Sequence, residues 1–179
     1  MKGMVFTEFL ELVDDKLSFE TSERLIEMSD LPSEGSYTAV GTYDAQEMMT
    51  LVTNLSTLIG VCVPDLLKAF GRHLFKRFVS FFPAFFEGVG SSLEFLPRVD
   101  SYVHLEVRKL YPDAELPSFS CSIPEPGTLI MAYQSKPNLA DLAEGLILAC
   151  IEHFGDSLVV TREIGQGEPR ETGFVVMPK

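Results

Sequence analysis

Residues 103–135 read VHLEVRKLYPDAELPSFSCSIPEPGTLIMAYQS, and the hydrophobic period changes inside them. Up to Leu110 the apolar residues recur at helical spacing: Val103, Val107 and Leu110 continue a stripe begun by Leu96 and Val99. Tyr111-Pro112-Asp113 stops that helix, because a proline drives the residue before it out of the α region. Beyond Pro117 the period falls towards two. Residues 118–123 and 128–133 read as strands, joined by Pro124-Glu125-Pro126-Gly127 as the turn of a hairpin. A helix running into an antiparallel hairpin, without βαβ alternation, points to an α+β fold.

Towards the N-terminus the chain reads as helices. Val5, Phe6, Phe9, Leu10, Leu12 and Val13 form an apolar face, with Glu8, Glu11, Asp14 and Asp15 expected outside. Residues 22–29 make a second, short helix, and LPSEGS at 31–36 a loop. Asp44 with Glu47 three residues on has the spacing of a capping box, and opens a helix carrying Met48, Leu51, Val52, Leu55, Leu58 and Ile59. Pro64 suits the first turn of the next helix, whose face is Leu67, Phe70, Leu74, Phe78, Phe81 and Phe82, up to Pro83. Residues 91–110 are expected as one helix. Towards the C-terminus, 139–154 is a helix with Leu142, Leu146, Ile147, Cys150 and Phe154 inward and Gly155 as its cap. Strands at 157–164 and 172–177 flank a polar turn at 165–170. The expected order is five helices, then β, β, α, β, β.

Composition narrows the function. At 179 residues, 46% hydrophobic and 11% aromatic, the chain is one globular domain with a full core. Its 14 basic against 26 acidic residues give a net charge of −12, which disfavours nucleic acid and anionic membranes as partners. No apolar run approaches the ~20 residues needed to cross a bilayer, and no signal peptide is visible, so a cytoplasmic protein is expected. GxSxG, Walker, GxGxxG and HExxH motifs are absent. No nucleophile–base pair stands out, and an enzyme is not expected. Cys62, Cys121 and Cys150 lie far apart, form no CxxC, and read as plain thiols, with Cys121 expected to be the most exposed.

Three histidines remain. His153 sits in a last helical turn, where the dipole favours it. His73 lies among Arg72, Lys76 and Arg77, on an expected solvated face. His104 borders an apolar stripe. One helical histidine beside a large aromatic volume is what a five-coordinate haem needs, although the Phe-rich helix around Phe70–Phe86 also reads simply as core.

The start MKGMVFTEFLELV, LPSEGSYTAVGTYD at 31–44, AFGRHLF at 69–75, VHLEVRKLYPDAELP at 103–117, YQS at 133–135 and LADLAEGLI at 139–147 resemble the H-NOX (haem nitric oxide/oxygen-binding, HNOB) family, in order along essentially the whole chain. The resemblance implies one domain over 1–179, with a distal helical lobe at about 1–65 and a proximal lobe at about 66–179 built on a four-stranded antiparallel sheet with packed helices. It implies haem b, with His104 as the iron ligand, Tyr133 and Ser135 as clamps on the propionates, and Pro117 pressing on the porphyrin. It also implies a sensor in which the gas weakens the Fe–His104 bond, the lobes shift, and a partner reads the movement. For stand-alone bacterial members that partner is a histidine kinase or a cyclic-di-GMP enzyme. With the sequence given ending at Lys179, output in trans is expected.

The family motif Y-x-S-x-R departs here to Tyr133-Gln-Ser135-Lys-Pro137. Arginine holds a carboxylate by two charge-assisted hydrogen bonds, and proline offers none. Weaker haem retention follows, unless Lys136 turns in or another arginine substitutes. The distal tyrosine of O2-binding members falls, by ungapped counting, on Leu142; Val5, Phe9, Leu74 and Phe78 are the other wall positions. A wall without a hydrogen-bond donor favours NO and CO over stable O2, unless a donor such as Tyr43 reaches in. Two further readings follow from the same residues: a haem-free module that regulates a kinase by contact, with Pro137 marking the lost clamp, and a redox sensor in which haem loss or thiol oxidation is the signal.

Overall fold

The computed structural model describes residues 1–164 and 171–179. The expected polar turn at 165–170 lies outside the described residues.

Six α-helices precede the sheet. The first five are α1 (Gly3–Lys16), α2 (Phe19–Ser29), α3 (Ala45–Ile59), α4 (Val63–Phe81) and the single turn α5 (Ser92–Phe95). Ser18 caps α2 by accepting from Thr21 N–H at 3.2 Å, so the helix starts earlier than the apolar spacing indicates. Asp44 caps α3 as expected, accepting from Gln46 N–H at 2.9 Å. Glu47 does not complete a capping box. It is buried and accepts instead from the hydroxyls of Ser33 and Tyr37. Pro83 ends α4 and opens a 3-10 turn at Pro83–Phe85.

The expected single helix over 91–110 is broken. Pro97 supplies no N–H and clashes with the carbonyl four residues back, so α5 stops at Phe95. A π-helical turn at Val99–Val103 follows, and α6 (His104–Leu110) begins only after it. The stripe therefore fails at its end. Leu96 is buried, Val99 and Val103 are half-buried, and Leu110 is 64% exposed.

Strands β1 (Ser118–Glu125), β2 (Thr128–Gln134), β3 (Leu158–Ile164) and β4 (Thr172–Pro178) form one antiparallel sheet in the order β1-β2-β4-β3. Gly127, at φ +86°, takes the left-handed turn position of the β1–β2 hairpin. Helix α7 (Ala140–Phe154) lies on the inner face, burying Ala143, Ile147 and Cys150 against Met131, Phe174 and Val176. The α+β class and the four-stranded antiparallel sheet are as expected from the sequence.

Two hydrophobic clusters organise the molecule. The first gathers Phe6, Phe9, Leu25, Met48, Leu51 and Phe70 from α1–α4. The second gathers Phe75, Phe95 and Leu96 with the sheet and α7. Helices α4 and α7 run through both. They cross where a Cβ on Gly71 would lie 2.3 Å from the Leu142 carbonyl oxygen, and one on Gly145 2.3 Å from that of Lys68. Only glycine lets the two backbones approach this closely. Among the described residues no single helix is long and apolar enough to cross a membrane.

Candidate functional site

His104 is the one buried residue of α6, 9% exposed. The π turn just before it sets its direction: His104 N–H donates to Val99 O, one residue further back than in an α-helix. The imidazole packs 6.0 Å from the ring of Phe119, which lies 5.4 Å from that of Tyr133. Phe119 and Tyr133 are paired partners across β1 and β2. A continuous aromatic run therefore joins α6 to the inner face of the hairpin. His104 Nδ1 lies 3.3 Å from Asp100 Oδ1. Burial pushes the imidazole below its ordinary range, against the opposing pull of the Asp100 carboxylate and the Pro117 carbonyl. The ring is therefore kept neutral, the form that ligates a metal.

Tyr133 is buried, and its Oη accepts from Leu139 N–H at 3.2 Å, which leaves the phenolic proton to donate. Burial raises its pKa, while Ser135, the Leu139 amide and the charge of Arg162 work the other way. Ser135, Pro117 and Pro137 are half-buried. Lys136 does not turn in. It is 85% exposed and stands 3.7 Å from Glu115. Arg162 does not replace the missing clamp arginine either; its guanidinium is held by Asp141 at 2.5 Å, with Glu144 at 3.7 Å.

The distal positions come together. Phe9, Leu74 and Leu142 lie in the first cluster, with Val5 and Phe78 packed against it, and Phe9 meets Phe70 edge-on at 5.1 Å. Two tyrosines packed against this cluster have hydrogen-bond partners of their own. Tyr43 Oη accepts from Thr38 N–H at 2.9 Å, and Tyr37 donates to Glu47 at 2.9 Å. Glu8, expected outside, is buried, 2.7 Å from Arg77 Nε and 3.2 Å from His73 Nε2. His73, expected on a solvated face, belongs to this pairing of α1 with α4. A carboxylate can be buried here because two basic groups meet it.

Sequence reading missed Asp100, Phe119 and the Glu8 cluster. Spacing held the signal for two of them: Asp100 stands four residues before His104, and Phe119 alternates in phase with Cys121 on the inner face of β1. The cysteines also differ from expectation. Cys62 is the exposed one, Cys121 is half-buried, and burial strongly raises the thiol pKa of buried Cys150.

These residues fit a haem. Among the described residues no group of three or more His, Cys, Asp or Glu side chains is placed to hold a bare metal ion. A lone buried imidazole ligates iron where a macrocycle supplies the other donors. Buried His104 offers the single ring nitrogen, and Tyr133, two aromatic contacts away, a hydrogen-bond donor. Two open clefts, about 330 Å³ beside His153 and about 340 Å³ beside Glu20, involve none of these residues.

The family model for haem-NO-binding domains matches residues 2–162. The chain belongs to this haem-NO-binding (HNOB) family. Among solved structures, it is similar to the Fe(II) unliganded H-NOX protein of K. algicida, at 36% identity and TM-score 0.93, covering 100% of this chain and 97% of that one. It is also similar to the H-NOX of Shewanella woodyi, solved bound to IWP-051 in the Fe(II)CO state, at 38% identity and TM-score 0.85, covering 100% and 95%. Soluble guanylate cyclase gcy-35 of Caenorhabditis elegans is 25% identical over 167 residues, which is 90% of this chain and 24% of that protein. The chain thus spans about a quarter of the length of that curated relative.

Proposed function

We propose that this HNOB domain is a haem-based sensor of NO, also open to CO, that excludes stable O2 and reports to a partner protein. The observation that carries the reading is His104: buried, and joined through Phe119 to Tyr133. Haem b, when bound, supplies the ferrous iron that takes the gas. His104 Nε2 ligates that iron, and Tyr133 and Ser135 donate to the propionates. Pro117, half-buried ahead of β1, braces the porphyrin. Val5, Phe9, Leu74, Phe78 and Leu142 wall the gas side with hydrocarbon, which gives bound O2 no hydrogen bond.

In this reading the first hydrophobic cluster joins the distal helices to Phe70, Leu74 and Leu142 of the proximal segment, and the second packs α7 on the sheet. The boundary near residue 65 falls in the first turn of α4, and α4 and α7 tie the lobes together. The domain acts as a sensor and not as a catalyst. Exposed Leu105 and Leu110 on α6 support a partner reading the His104 helix. A histidine kinase or a cyclic-di-GMP enzyme is the partner class, in a cytoplasmic setting.

Haem titration of the purified apoprotein tests this reading. One equivalent should bind, and His104→Ala should change the ferrous band. A second reading is favoured by Pro137 and by the outward-facing Lys136: a haem-free module that regulates a kinase by contact. A wild-type protein that takes up no haem supports that reading and overturns the first.

A further inference from the structure

Asp100 stands on the π turn, and its carboxylate has a choice of partners. Arg98 is two residues away but pairs with Glu94 at 2.6 Å. Among the described residues the ion pair of Asp100 is with His104 alone, Oδ1 to Nδ1 at 3.3 Å. The turn carries one residue more than an α-helix needs, and it closes on His104 through the bond from His104 N–H to Val99 O. π turns of this kind concentrate at functional sites.

We propose that Asp100 is the positioning residue of the iron ligand: its carboxylate accepts a hydrogen bond from His104 Nδ1–H, fixes the tautomer with Nε2 bare, and gives the imidazole partial anionic character towards the iron. This rests on the haem-sensor reading above. A carboxylate behind a ligating histidine orients the ring and raises its basicity, and losing such a partner typically weakens metal binding by ~10–100-fold. A more basic imidazole holds ferric iron better than ferrous. Asp100 therefore lowers the reduction potential and strengthens the bond that a gas ligand must weaken. It sets how much ligand-induced change the domain needs before it signals.

The test uses full-length protein reconstituted with haem, as wild type, Asp100→Asn and Asp100→Glu. The iron–histidine stretching band of the ferrous protein and the one-electron midpoint potential are read, with thermal unfolding alongside. Asp100→Asn should move the band to lower frequency. A tenfold loss of ferric preference would raise the potential by about 59 mV. Asp100→Glu should restore both towards wild type. If Asp100→Asn keeps the His104-ligated haem but leaves band and potential unchanged, the proposal is wrong and the contact is only a helical i,i+4 pair. An absent iron–histidine band in the wild type, or a band untouched by His104→Ala, overturns the sensor reading and this inference together.

Discussion

Replacing Leu142 with tyrosine places a hydroxyl in a wall that has none. Leu142 is 8% exposed, in the first turn of α7, and shares its cluster with Phe9 and Leu74. Two tyrosines of that lobe hydrogen-bond to their own surroundings, Tyr43 accepting from Thr38 N–H and Tyr37 donating to Glu47. Bound O2 draws negative charge from the iron, so a donor is worth the ~1.5–3 kcal/mol of a hydrogen bond to a charged group. At 1.4 kcal/mol per decade, that lengthens the lifetime of bound O2 by roughly 10- to 150-fold. The larger ring also costs ~1–3 kcal/mol of overpacking in a close-packed site. Leu142→Phe carries the same ring without the hydroxyl and isolates the donor. Stopped-flow O2 dissociation from the ferrous proteins, with CO binding as reference, reads the difference. Leu142→Tyr should hold O2 long enough to give an oxy spectrum in air, while Leu142→Phe and wild type do not, and CO affinity should barely separate the two variants. Equal O2 lifetimes in the two variants, with haem retained, would refute the assignment of this cluster as the gas-side wall.

Pro137→Arg should slow haem transfer to an excess of apomyoglobin by roughly 10- to 100-fold, the value of one restored charge-assisted pair; unchanged transfer would show that the clamp lies elsewhere. Tyr37, pushed up to about 12 by burial, is neutral in the folded state where the unfolded chain would ionise near its ordinary value of 10.0. Its contribution to stability is therefore complete below pH 10.0 and is lost as pH rises through about 12. Tyr37→Phe should flatten that part of an alkaline unfolding curve, and an unchanged curve would contradict it. Gly145→Ala would gain about 1 kcal/mol of helix propensity but drive a Cβ into the Lys68 carbonyl, for a net loss of about 1 kcal/mol or more. Calorimetry should then show a melting temperature lower by about 2–4 °C per kcal/mol; a rise would show that α4 and α7 can part cheaply.

Much of the architecture was legible because the period of the hydrophobic pattern is clear. The switch from three-to-four spacing to alternation after Pro117 located the hairpin, and Gly155, at φ +71°, closes α7 where the sequence placed it. The segment before His104 was misread. The apolar stripe from Leu96 to Leu110 conceals Pro97, whose missing N–H outweighs the periodicity, and the π turn that follows has no hydrophobic signature. Glu8 was misplaced for a different reason. A carboxylate at a helical position reads as solvated unless its counter-charges are known, and these come from α4, more than sixty residues on. The same holds for Glu47, whose capping-box spacing is real but whose carboxylate is drawn to Ser33 and Tyr37. The candidate iron ligand was visible from its motif. Its carboxylate partner needed the backbone, because only the turn shows which neighbour of Asp100 the side chain reaches.

The most direct test of the central claim is an absorption spectrum of haem-loaded protein, reduced without oxygen and then given air and NO in turn. A five-coordinate ferrous band that depends on His104, gives no stable oxy spectrum in air and shifts on NO is the expected result. A protein that stays colourless with haem in excess, or a ferrous band indifferent to His104→Ala, would contradict it.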